Sequence, residues 1–245
     1  MPIFIISILI QLGLVIHIIK TGRSTTWIWI IVMIPLVGSL AYLLLELIPE
    51  LANSRTGRRA RRDVGAIINA DKDLKAAADE LSQADTVENR GRLAAECFKK
   101  NMFSESRELY AKCLTGIHAT DPDLMFGLAS CDFELSNFSA AKTTLDDLIE
   151  KNPDYKNQEA HLLYARTLDN LGDAISARHE YETLHEYYSG PAASYHYAQF
   201  LQAQGEDLPA REIYRQIVEQ AERSGRHYND LYKDIIRSAG KWLEE

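Results

Sequence analysis

Small residues recur in this chain at a near-constant interval, and that interval dictates what the chain can fold into. Ser106, Ala141, Ala177 and Ala210 lie 35, 36 and 33 residues apart. Around each of them the same arrangement returns. Between Leu124 and Pro153 two amphipathic stretches flank a tight turn. Ala129 and Ala141 fall where two helices would cross, Phe138 falls at the turn, and Pro153 stops the second helix. Ala165, Gly172, Ala177, Tyr181 and Leu184 repeat the pattern, as do Ala198, Gly205, Ala210, Tyr214 and Ile217. A helix pair this short cannot bury its apolar face alone, so successive pairs must stack. The period predicts an all-α solenoid of about four helix pairs with capping helices, occupying residues 64–245.

The period and its small-residue markers resemble the tetratricopeptide (TPR) repeat. In that register the first repeat has helices over Val87–Lys100 and Phe103–His118, with Ala94, Cys97, Ser106, Tyr110 and Cys113 turned inward. Repeats two to four cover about 123–156, 158–190 and 191–224. Val64–Leu81 reads as an N-terminal cap and His227–Leu243 as a C-terminal one. The resemblance implies a groove lined by the first helix of each repeat, which takes an extended or helical peptide from a protein partner. By register the groove holds Arg92, Lys99, Phe126, Phe133, Arg166, Asn170, Tyr195, Gln199 and Gln202. The family's clamp for acidic chain termini uses Lys and Asn at set points. Here those points hold Phe126, Leu162 and Tyr195, and Ala95, Ser130, Arg166 and Gln199. That clamp is not reproduced, and Arg166 is expected to pair with the neighbouring Asp169.

The front of the chain is a different material. Residues 1–63 carry 7 Lys+Arg against 3 Asp+Glu, whereas the remainder carries 20 against 32. A phosphate backbone demands a basic surface, so the acidic repeats argue against nucleic acid as partner. Pro2–Ile19 has no formal charge and would reach roughly 27 Å as a helix, near the hydrocarbon thickness of a bilayer. Neither a leading basic residue nor a small-x-small site marks it as a cleaved signal. Trp27–Ile48 follows after a short polar loop, so residues 1–50 predict a two-helix transmembrane hairpin. Gln11 would bond to the other helix or to a second copy of the chain, which leaves self-association open. His17 and Glu46 would reach the interface.

The placement of Trp27, Pro35, Gly38 and Tyr42 resembles the N-terminal hairpin of cardiolipin synthases and related phospholipase D proteins. That resemblance implies an anchor, not the activity. Phosphatidyl transfer there needs paired His-x-Lys-x4-Asp motifs, and none of the 7 histidines has Lys two residues on. After the hairpin, residues 51–63 form a basic linker. Arg55, Arg58, Arg59, Arg61 and Arg62 place it on the cytoplasmic side of a bacterial inner membrane, within reach of anionic lipid. No glycine-rich phosphate loop, His-Glu-x-x-His or Cys-x-x-Cys occurs, so neither a cofactor nor a metal is expected. The reading is a non-catalytic membrane adaptor. An accessory to phospholipid metabolism is the alternative.

Overall fold

The computed structural model describes residues 2–21, 26–33, 42 and 72–244. The features read at Pro35, Gly38, Glu46, the five linker arginines and residues 64–71 lie outside them. The chain divides into two compact units, Met1–Lys72 and Asp73–Glu245.

In the first unit α1 (Pro2–Thr21) packs against α2 (Thr26–Met33). Ile18, Ile31 and Tyr42 are buried together, with Leu14, Trp27 and Ile28 against them. Half-buried His17 meets the Tyr42 ring edge-on at 6.2 Å. Its Nδ1 lies 3.1 Å from the Tyr42 hydroxyl, because a buried phenol needs a polar partner. Trp27 meets the same ring edge-on at 5.4 Å. Among the described residues no helix is long and apolar enough to cross a membrane.

The second unit is all helical among the described residues. A helix over residues 72–83, α3, precedes four helix pairs. These are α4 (Val87–Lys99) with α5 (Phe103–Cys113), α6 (Pro122–Glu134) with α7 (Phe138–Lys151), α8 (Gln158–Asn170) with α9 (Ala174–Tyr187), and α10 (Ala192–Ala203) with α11 (Asp207–Arg223). Two further helices, α12 (Arg226–Leu231) and α13 (Lys233–Glu244), close the end, and α13 packs on α11. Each second helix packs against its own first helix and, in the first three pairs, against the first helix of the next pair.

Polar side chains start the helices where the backbone N–H groups lack partners. Thr86 caps α4, Asp121 caps α6 with Pro122 in its first turn, Asn157 caps α8, and Asp173 caps α9. Within each pair the chain turns through one left-handed residue: Asn101, Ser136, Gly172 or Gly205. Their N–H groups, and those of the residues that follow, bond back to the last turn of the first helix in all four repeats. Only two of these positions hold the glycine such a backbone favours. Helix α5 ends at Cys113, short of the predicted His118. Gly116 takes a positive φ of 57°, and a 3-10 turn, Gly116–His118, replaces the last part.

Ser106, Ala129, Ala141, Ala165, Ala177 and Ala198 are fully buried, and Ala210 nearly so. Small side chains let the helix axes approach closely at the crossing. The space around them is then filled by Leu145, Leu168, Leu184, Tyr181, Phe200 and Tyr214.

Candidate functional site

The predicted groove residues sit on the first helices, and the structure separates them into three groups. At the N-terminal end the two cations are already engaged. Arg92 donates to Glu80 of α3 at 2.5 Å, and Lys99 to Glu96 at 2.6 Å. Phe133 is 8% exposed and belongs to the core with Ala129, Ala141, Leu145 and Leu163, so it offers little surface. The third group, on α8 and α10, is the one brought together.

Arg166 lies over the Phe133 ring, 4.5 Å from its centre. It does not pair with Asp169 as the sequence predicts. The π face contributed by the preceding repeat attracts the guanidinium. Asp169 instead accepts from the Tyr181 hydroxyl at 3.5 Å, and burial pushes its carboxyl above the usual range. Among the described residues no carboxylate lies within ion-pair distance of Arg166. Asn170 turns back to donate to the Arg166 carbonyl at 2.8 Å. On α10, Tyr195 packs against Tyr214 at 5.8 Å, and Gln199 donates to the Tyr195 hydroxyl at 3.5 Å. Gln202 accepts from Tyr214 at 3.4 Å. Beside them His196 is pushed down to about 4, by burial first and by the charge of Arg166 second. It is therefore neutral near pH 7. The result is a cation with donor capacity left over, flanked by neutral amide, imidazole and phenol groups. Such a surface can receive carboxylates and peptide carbonyls.

The buried thiols Cys97, Cys113 and Cys131 are all shifted upward by burial, which disfavours the reactive thiolate. Among the described residues no group of three or more His, Cys, Asp or Glu could hold a metal ion.

Sequence reasoning missed a second feature. A cleft of about 650 Å³ opens between α7 and α9, with α8 at its base. In its wall His161 Nε2 lies 2.5 Å from Glu180, and His161 Nδ1 lies 2.7 Å from the Tyr187 hydroxyl. The hydrogen bond from His161 holds the Glu180 carboxyl below its usual range. The signal was there in the repeats themselves: His161 and Glu180 stand where the next repeat has Ser194 and Ile213.

Stacked helix pairs with a small residue at every crossing define the second unit as a TPR-like solenoid. Two family matches bear on the chain. Residues 123–155 match the family described as Tetratricopeptide repeat. Residues 9–45 match the one described as Phospholipase_D-nuclease N-terminal. Solved structures with the same fold include TTC0263, a thermophilic TPR protein in Thermus thermophilus. It is 18% identical over 76% of this chain and 97% of that one, with a TM-score of 0.59. MamA is another, 19% identical over 67% of this chain and 94% of its own, with a TM-score of 0.53. None of the curated proteins matches the chain.

Proposed function

We propose that this protein is a non-catalytic adaptor that binds a protein partner on the first-helix face of repeats three and four. The observation that carries this reading is Arg166. It is held over the Phe133 ring, has no carboxylate partner among the described residues, and stands near enough to His196 of α10 for its charge to act there. A peptide with acidic or carbonyl groups would use the free donors, while Tyr195 supplies contact area at small entropic cost. Phe133 and Asn170 support that surface, one through its ring beneath Arg166 and the other through a bond to the Arg166 carbonyl, while Arg92 and Lys99 lie apart from it on α4.

The front end serves in this reading as the anchor. On the sequence, Pro2–Ile19 carries no formal charge and would reach roughly 27 Å as a helix. With Trp27–Ile48 as the second span, the hairpin would hold residues 64–245 at the cytoplasmic face of a bacterial inner membrane. Residues 51–63 would lie against its anionic lipid. Photo-crosslinkers at Tyr195 and Gln199, read by mass spectrometry, should capture a partner that Arg166→Glu loses. Capture unchanged by that substitution removes the reading of this face. A reporter fused after Glu50 should sit in the cytoplasm, and a periplasmic signal overturns the orientation.

The match at residues 9–45 supports a second reading, an accessory to phospholipid metabolism, cardiolipin formation above all. Unchanged cardiolipin in a deletion strain would remove it.

A further inference from the structure

The cleft between α7 and α9 is a place where the repeat frame has been left open. Leu145, Leu148 and Ile149 form one wall, Glu180 and Tyr187 the other, and His161 and Tyr164 the base. Ile149 and Tyr187, which both line the cavity, are 52% and 51% exposed.

The next junction in the array shows how the same frame is filled. In repeat register Leu145 corresponds to Tyr181, Tyr164 to Tyr197, His161 to Ser194 and Glu180 to Ile213. At that junction Tyr181, Tyr197 and Ile213 are all buried. Tyr181 stacks on Tyr197 at 6.0 Å and meets Phe200 at 5.4 Å. His185, the counterpart of Ile149, closes over Ser194 with a hydrogen bond of 2.8 Å. Aromatic rings supplied from within therefore complete one junction. At the other, a leucine stands in place of the tyrosine, and a polar wall stands in place of an isoleucine.

The polar wall has a definite arrangement. A carboxylate accepts only, so His161 Nε2–H donates to Glu180 Oε2, and Nδ1 accepts from the Tyr187 hydroxyl. Glu180 Oε1 makes no hydrogen bond among the described residues. An acceptor beside an apolar, ring-lined cavity suits a group that is aromatic and carries an N–H or O–H at its edge.

We propose that this cleft is a second binding site, separate from the first-helix face, and that it takes a tryptophan or tyrosine side chain of a partner protein. The ring enters between Leu145 and Tyr164, and its N–H or O–H donates to Glu180. The ligand does from outside what Tyr181 does from within one junction further on.

The test uses the full chain in lipid nanodiscs with isotope-labelled histidine, reading the His161 ring signal by NMR. N-acetyltryptophanamide should shift that signal saturably. N-acetylphenylalaninamide, which lacks the donor, should bind about tenfold more weakly, and N-acetylleucinamide should give no saturable shift. Glu180→Ile and Leu145→Tyr, which copy the filled junction, should each abolish the response, while Arg166→Ala on the other face leaves it intact. Far-UV circular dichroism of each variant separates loss of the site from loss of the fold, and Tyr187→Ala at the rim gives a milder variant, about tenfold weaker. No saturable shift, a response that survives both filling variants, or an equal response to N-acetylleucinamide or to decanoate would each overturn the proposal.

Discussion

Repeats one and two meet through small and polar groups, whereas repeats three and four meet through rings. At the first junction Cys131 donates to Ser106 Oγ at 3.2 Å, Ser106 donates to the Ala94 carbonyl at 2.7 Å, and Arg107 pairs with buried Asp132 at 2.6 Å. The absent side chain of Gly127 makes room for Tyr110. At the last junction Tyr181, Tyr197 and Phe200 pack ring on ring, and Tyr214 stacks on Trp242 of the cap at 6.3 Å. Both junctions keep a small residue where helices cross. The repeat thus prescribes the closest approach and leaves the surrounding volume to be filled in either way. Directional bonds hold one junction in a single geometry. Apolar rings hold the other by area, and area can also be supplied by a ligand.

The contrast can be broken most severely at the ring-filled end. Tyr181→Ala should cost about 4 kcal/mol in urea unfolding followed by circular dichroism, since it removes a ring that is fully buried. A loss below about 1 kcal/mol would mean that the rings do not carry this junction. At the polar end Arg107→Ala should cost about 2–3 kcal/mol, because Asp132, 1% exposed, loses its ion-pair partner. Partial exposure of Arg107 trims the figure. Replacing the pair together, Arg107→Met with Asp132→Leu, should recover most of it.

Two glycines sharpen the same comparison. A Cβ on Gly127 would stand 2.5–2.7 Å from Tyr110 ring atoms, so Gly127→Ala should destabilise by about 2 kcal/mol despite the better helix propensity of alanine. Gly240 has nothing within 4 Å, and Gly240→Ala should stabilise by about 0.5–1 kcal/mol. Thermal unfolding of both variants reads the difference directly.

A pH effect should be readable at His196 of repeat four. His196 titrates at about 4 in the folded chain against 6.5 ordinarily, so between these values the unfolded chain binds a proton that the folded one does not. The stability this group contributes is complete above about pH 6.5 and is lost as the pH falls toward 4. About 3 kcal/mol should disappear over that window. His196→Asn should flatten the slope, and an unchanged slope would assign it elsewhere. The smallest effect is at a turn: Ser136→Gly should stabilise repeat two by about 0.5–1 kcal/mol, since Ser136 holds a φ of 60°.

How far the residues alone reveal such details depends on whether the deciding interaction is local. The turns at Gly172 and Gly205 were legible because glycine favours a left-handed backbone. Those at Asn101 and Ser136 were legible as places but not as left-handed backbone, because there the same bonds to Cys97 and Asp132 carbonyls impose it on residues that do not ask for it. The first-helix face was legible as a register. Its occupants were not, since Arg92 and Lys99 are engaged by acids on α3 and α4, and Phe133 turns into the core. Arg166 was expected beside Asp169 and lies on Phe133 instead, because the ring that holds it comes from another repeat.

By itself, then, the sequence determined the helix-pair stack and its period, because spacing, small residues and caps act within one repeat. It also marked out an apolar front that the acidic repeats do not share. Only the tertiary structure decided which junction is filled and which is left open, and which charges are already engaged. Those outcomes depend on side chains from two or three repeats meeting in space, and no single stretch of chain contains that information.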